Sequence, residues 1–260
     1  MEITEDIFTS KIKEYTTSSQ YTPLQITMTI RPPLYLNNPW LHFDSILSYL
    51  CLRDALDDLF YILPTEKAID ISGLDIPLKK TKDIYHSSIG IFQDIQLLKT
   101  DKIYKRFTDK ETYHLTPRHQ KGRIHINRGH YKDFIINMPM LITDKVTFYC
   151  NGDKKEIKRL LSHLRNIGKK TSIGGGKITN IKITETPEDY SFFKDNNIMR
   201  PIPADMNIPL TEGMTFAKAT YKPPYWDKNN KTMCYIPPNQ IKEAIRIAHR
   251  EGHKEIRIGD

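Results

Sequence analysis

Cysteine is scarce. Only Cys51, Cys150 and Cys234 occur in 260 residues, far apart, each among apolar or aromatic neighbours, and without a Cys-x-x-Cys pair. This excludes a disulfide framework and a thiolate zinc site, and it suits a reducing compartment such as the cytoplasm. Long apolar runs are missing too. No stretch approaches the ~18 residues that suggest a bilayer span, and the N-terminal residues include acids without a continuous apolar core, so neither a membrane span nor a secretion signal is expected. Nor do the histidines supply a metal site. His114, His119, His125 and His130 are spaced by 5, 6 and 5 residues, which fits neither a helical i, i+4 zinc pair nor alternate positions of a strand. No metal or cofactor is expected.

What is present is positive charge in two blocks. The formal net charge is +8; residues 100–132 account for +6 and residues 151–182 for +7, leaving the rest at −5. Two basic segments on a mildly acidic body favour an acidic partner such as nucleic acid. In the first block Lys105, Arg106, Arg118, Lys121, Arg123 and Arg128 lie among Tyr104, Phe107, Tyr113 and Tyr131. Cations interleaved with aromatics suit a single-stranded backbone with stacked bases, against the plainer alternative of a solvated hairpin face.

The second block contains the stretch around which the chain is organised. Ile157, Leu160, Leu161, Leu164 and Ile167 share one helical face, with Lys155, Lys158, Arg159, Ser162 and Arg165 on the others. Gly168-Lys169-Lys170-Thr171-Ser172-Ile173-Gly174-Gly175-Gly176-Lys177 follows, then a strand. A P-loop and a dinucleotide fingerprint place their glycines between strand and following helix, the reverse of this order. Two readings remain: a glycine cap with a hairpin lead-in, or a loop whose backbone approaches an anion and offers it bare N–H groups. Gly168, Lys169, Lys170, Thr171, Ser172, Gly174, Gly175, Gly176 and Lys177 are the candidate contacts of the second.

Periodicity places other elements around it. Leu24, Ile26, Met28 and Ile30 alternate with Gln25, Thr27, Thr29 and Arg31, a half-buried strand ended by Pro32-Pro33. A helix follows to about Leu63, with Asp44 or Ser45 as N-cap; its apolar residues wrap more than one face. His42, just ahead of it, is a candidate RNA contact or proton-transfer group, with a structural role as the alternative. Short strands are expected at 69–76, 88–98, 102–107, 113–115 and 123–127, then at 134–140, 145–150 and 179–184, with Asn151-Gly152-Asp153 as a turn. The order is strand, helix, insertion, strand, helix, strand. It predicts an α+β, ferredoxin-like (RRM-like) domain over residues 23–185, with helices on one sheet face and the other open. A β-hairpin-rich insertion is expected at about 64–132. Residues 1–22 are expected to be a short helix or tail, and residues 186–260 a proline-rich extension packed on the domain, with a strand at 214–221 and a helix at 240–251. Tyr225 and Trp226 are expected to pack the extension down, an exposed stacking platform being the alternative.

Several ordered stretches carry a family resemblance: Leu41-His42-Phe43-Asp44-Ser45-Ile46-Leu47, Tyr104-Lys105-Arg106-Phe107, Gly129-His130-Tyr131-Lys132, Asn151-Gly152-Asp153 with Ile167-Gly168-Lys169-Lys170, Met199-Arg200-Pro201-Ile202-Pro203, and Tyr221-Lys222-Pro223-Pro224-Tyr225-Trp226. Between about Leu24 and Pro238 the chain resembles the RAMP superfamily of CRISPR-associated proteins, and within it the type IV subunit that caps the 5′ handle of the guide RNA. The resemblance implies a non-catalytic guide-RNA (crRNA) binding subunit of an antiviral surveillance complex, docked on neighbouring effector subunits, with a contact to target DNA beside the handle left open. Its RNA-binding set would be the glycine loop with Lys105, Arg106, Arg118, His119, Arg123 and His42. An uninterrupted Gly174-Gly175-Gly176, where an aromatic often intervenes, argues against base stacking at the loop itself. Two alternatives stand. One is the metal-independent guide-RNA-processing endoribonuclease of the same superfamily, with acid and base among His42, His119, His125, His130, Lys105 and Tyr131. The other is a free-standing RNA-binding or inhibitory protein.

Overall fold

The computed structural model describes residues 5–18, 20–36, 38–63, 69–93, 95, 97–106, 127, 132–206 and 214–240. Arg118, His119 and Arg123, His125, His130 and Tyr131, the strand expected at 113–115, nearly all of that at 123–127 and nearly all of the helix at 240–251 lie outside them. The elements begin with α1 (Glu5–Glu14), β1 (Tyr21–Arg31), β2 (Leu34–Tyr35), α2 (Phe43–Leu56), β3 (Lys80–Thr81), β4 (Ile84–Tyr85) and β5 (Ile91–Gln93). They continue with β6 (Leu97–Lys105), β7 (Phe134–Ile142), β8 (Lys145–Asp153), α3 (Lys154–Leu161) and β9 (Lys177–Glu185). The chain ends in short strands β10 (Phe193–Lys194), β11 (Asn197–Ile198) and β12 (Ile202–Pro203), then β13 (Thr215–Thr220) and β14 (Lys231–Ile236). The architecture is α+β and rich in strands. No helix among the described residues is long and apolar enough to cross a membrane.

The main sheet has the order β5-β8-β1-β9, every neighbour antiparallel. With α2 between β1 and β5 and α3 between β8 and β9, this connectivity is consistent with a ferredoxin-like unit. Alternation in β1 does what the sequence requires: Leu24, Ile26, Met28 and Ile30 are buried, while Gln25, Thr27 and Thr29 face the other way, half-buried. The buried side meets Phe43, Leu47 and Leu50 of α2 and Ile157, Leu160 and Leu161 of α3 in one core. The polar side stays partly open over β1 and β9, where Gln25, Thr27 and Thr29 pair with Thr184, Lys182 and Asn180. Over β8 beyond Lys145 it is covered, Thr147 being buried and Tyr149 packing edge-on against Tyr190 at 5.6 Å under the Lys194 ammonium.

Several expectations need correction. Phe8 and Ile12 of α1 enter the core, so the N-terminal segment is a packed helix. β5 lies inside the stretch assigned to an insertion, yet it is the edge strand of the main sheet. The inserted structure is instead the β6–β7 ribbon, which pairs along its whole length and extends to β2. Residues 69–76 form turns, contributing Leu74 and Ile76 to the core without a strand. Asn151-Gly152-Asp153 continues β8 opposite Pro23, Thr22 and Tyr21. Asp153 then caps α3, accepting from the Glu156 N–H at 2.9 Å. α2 ends at Leu56 and runs on as a tighter turn, Asp57–Ile62. Its N-cap position is His42, which makes no side-chain cap; Asp44 is the second residue of the first turn, buried and otherwise engaged. The extension carries β10–β11 and the sheet β12-β14-β13, more strand than the one expected.

Candidate nucleic-acid interface

The glycine loop is a rigid knot braced on β2. The Lys169 N–H donates to Tyr35 O at 2.8 Å and the Gly176 N–H to Pro33 O at 2.8 Å, while the Ile167 N–H reaches back to Gly176 O at 2.9 Å. Gly174 and Gly175 donate inward to Thr171 O and Lys170 O, both at 3.1 Å. The amides of all three consecutive glycines therefore have backbone acceptors, two within the loop and one at Pro33, which removes them as bare donors to an anion. Their glycine identity has a local cause. Gly176 has φ +58° and a Cβ there would fall 2.0 Å from Ile167 O; Gly175 would meet Lys169 O at 2.7 Å; Gly174 faces open space but has φ +91°. Lys170 adopts a left-handed φ of 58° without being glycine. What the loop offers outward is side chains.

Beside it opens a cleft of 890 Å³. One wall is the start of α2, with Trp40, His42, Tyr49 and Arg53; another is the segment from Arg165 through Gly168 and Lys169 to Thr171; the third is Tyr225 and Trp226 from the connection between β13 and β14. Trp226 is 68% exposed and Tyr49 46%, so each presents a ring to whatever enters. Arg165 and Lys169 are exposed on the same wall. The Trp40 indole N–H is buried without a hydrogen-bond partner, a donor awaiting an acceptor. Cations beside exposed rings form a chemistry for phosphates and stacked bases together.

The cleft is held in shape by a buried ion pair. Arg200 is 1% exposed and reaches Asp44 through Nη2 at 3.0 Å; the same guanidinium donates to Ser87 O at 3.1 Å, to Tyr221 O at 2.6 Å and to the carbonyl of Tyr85. Tyr225 donates to Asp44 at 2.9 Å. Burial pushes the Asp44 carboxyl up from its ordinary range, and Arg200 and Tyr225 pull against it. His42 stacks on Tyr225 with ring centroids 3.6 Å apart. Burial, and next the Arg200 charge, hold its pKa well below the usual imidazole range, so it is neutral at pH 7. Three of the stretches that carried the family resemblance, those containing His42–Asp44, Arg200 and Tyr221–Trp226, thus meet at one network.

The structure brings His42, Gly168, Lys169 and Thr171 together on the cleft wall. Lys170, Ser172, Gly174, Gly175, Gly176 and Lys177 are not part of its lining. Lys105 and Arg106 end β6 on the ribbon, with the Lys105 ammonium 5.7 Å from the Phe134 ring. The ribbon is tied to the loop through Tyr35, whose hydroxyl donates to Asp101 at 2.9 Å. Sequence reasoning missed Trp40, Tyr49 and Arg53 as site residues; Arg165 lay in a basic block, and Trp226 was weighed chiefly as packing. One further histidine is firmly oriented: His86 bonds Asp189 through Nδ1 and Thr81 through Nε2, both at 2.7 Å. Asp189 also accepts from Asn151 at 2.9 Å and Ser191 at 3.0 Å, and against the burial of its carboxyl these bonds hold its pKa below the usual range. No cluster able to hold a metal ion occurs among the described residues.

A family model described as CRISPR type IV associated protein Csf3 matches residues 93–237, more than half of the chain. The matched stretch includes the loop, Arg200, Tyr225 and Trp226, and leaves out β1 and α2. No curated protein matches the chain.

Proposed function

The chain belongs to the family of CRISPR type IV associated protein Csf3, and on that premise we propose that it is the subunit that holds the 5′ repeat-derived handle of the guide RNA in a type IV surveillance complex. The observation that carries the reading is the cleft: Arg165 and Lys169 on the wall formed by the glycine loop, facing Trp40, Tyr49 and Arg53 of the α2 wall and the ring of Trp226. Phosphates would meet the cations, bases the rings. The four-stranded unit serves as the RRM-like RAMP domain, and the loop acts by presenting Lys169, Lys170 and Thr171 from a fixed frame, since the amides of its three consecutive glycines are committed to backbone carbonyls. The β6–β7 ribbon, with Lys105 and Arg106, adds a second basic contact; neighbouring subunits complete the partner set.

The role proposed is non-catalytic. Metal-independent RNA cleavage needs a base at the 2′-hydroxyl and an acid at the leaving oxygen. His42 is neutral but buried and stacked, and His86 has both ring nitrogens occupied. Purifying the chain with co-expressed repeat RNA and sequencing the bound ends tests the binding role, and a defined handle end is expected. Incubating it with labelled repeat RNA, in EDTA and in magnesium, tests the chemistry. Site-specific cleavage lost on changing His42 or His119 would establish the endoribonuclease instead.

A further inference from the structure

A second exposed surface of definite chemistry is the outer face of the β13-β14 hairpin, beside β12, whose Ile202 is buried on the same side. Alternation turns Phe216, Lys218 and Thr220 of β13 to one side and buries Ala219 on the other. The register sets Phe216 opposite Tyr235, Lys218 opposite Met233 and Thr220 opposite Lys231. Phe216 is 48% exposed and its ring lies 5.2 Å from that of Tyr235. Lys218 and Lys231 are exposed and enter no ion pair among the described residues. Lysine is depleted in protein–protein interface cores, where aromatics are enriched without it. A pair of rings at one end of a face, followed by two ammonium groups without ion-pair partners among the described residues, is instead what a single strand takes, bases on the π-faces and phosphates at the cations.

The Thr220–Lys231 end of this face adjoins the base of the 221–230 connection, where the Tyr221 N–H donates to Asn230 O at 3.2 Å. That connection carries Tyr225 and Trp226 into the cleft. We propose that guide RNA leaving the cleft past Trp226 runs onto this face, stacking on Phe216 and Tyr235 with its phosphates at Lys218 and Lys231. The inference rests on the guide-RNA reading above. The face extends about 13 Å, four residue steps of ~3.3 Å.

The test uses the full chain and two RNAs, the repeat-derived handle alone and the handle followed by part of its guide, with a deoxyribonucleotide strand of the guide sequence as control. With 4-thiouridine in the guide segment, ultraviolet cross-links are expected at Phe216 or Tyr235. Phe216→Ala should weaken the longer RNA at least about fivefold, the low end of what one stacked base contributes, leave the handle alone unchanged, and be rescued by Phe216→Tyr. Arg165→Ala with Lys169→Ala should weaken both RNAs. Loss in the cleft variant without any effect or cross-link at Phe216 overturns the sheet contact and leaves the handle reading standing; no loss in either variant overturns both. An equal effect of Phe216→Ala on the DNA strand overturns the assignment to guide RNA, and loss of a co-purifying protein with RNA binding intact makes the face a protein interface.

Discussion

Replacing Arg165 and Lys169 together by Ala separates a phosphate-binding wall from a solvated one. Both side chains are exposed and neither makes a salt bridge among the described residues; the bonds anchoring this segment, Lys169 N–H to Tyr35 O and Ile178 N–H to Arg165 O, are backbone bonds that survive truncation. Stability should therefore change by less than about 0.5 kcal/mol. Binding should respond differently. Each phosphate contact on a single strand contributes roughly 0.7 to the slope of log affinity against log salt, so two lost contacts make the slope shallower by about 1.4. The wild-type and variant lines then converge near 1 M salt and separate by about 25-fold at 0.1 M, or roughly 2 kcal/mol. Fluorescence anisotropy with labelled handle RNA across that salt range reads both quantities, and urea unfolding checks the fold. A folded variant with the wild-type slope would refute the assignment of phosphates to this wall.

Further outcomes follow from the same geometry. Gly176→Ala should cost at least about 2 kcal/mol in urea unfolding, because a left-handed φ alone costs ~1–2 kcal/mol and the new methyl meets Ile167 O; Gly174→Ala, facing open space, should cost only the φ strain, and equal costs would contradict the loop's packing. Arg200→Met should destabilise by roughly 3–5 kcal/mol by stranding Asp44, and adding Asp44→Asn should recover part of it; additive losses would argue against the pair. Since His42 is held neutral in the fold while the unfolded imidazole takes up a proton below about pH 6.5, its contribution is present above that pH and falls by about 1.4 kcal/mol per unit below it, until the folded pKa is reached. Unfolding midpoints between pH 7.5 and 5.5 should show a steeper decline for the wild type than for His42→Phe, which keeps the stack on Tyr225. Parallel curves would mean the imidazole is not shielded.

The elements most legible in the sequence were those with unbroken periodicity. β1 has strict alternation because one of its faces is core and the other polar, and α3 shows its buried face through Ile157, Leu160 and Leu161. β5 was not legible as a sheet strand, for it is three residues long and its place depends on pairing with Val146 and its neighbours in β8. The helical pattern ran past the true end of α3, because Leu164 and Ile167 are core residues on a turn and keep the spacing by tertiary packing. At the site, charge clustering found Lys169 and the glycines found the loop. Clustering could not find Arg53 or Tyr49, whose role depends on α2 lying across from residues more than a hundred positions later. The glycines also suggested donors that hydrogen-bond accounting assigns to the carbonyls of Thr171, Lys170 and Pro33.

Asp44 and Arg200 stand 156 positions apart, and this separation bears on how the chain is made. α2 emerges from the ribosome early, carrying a carboxylate whose guanidinium partner has yet to be translated. Domains form from the N-terminal side during synthesis, but here α2 cannot settle against the sheet with its charge answered until the final third arrives. A product interrupted before Arg200 would keep an unanswered carboxylate in its centre, and would lack the wall that Tyr225 and Trp226 supply. Completion of the core and completion of the cleft are therefore reached at the same step, and under the guide-RNA proposal a fragment short of Arg200 would lack the full binding site.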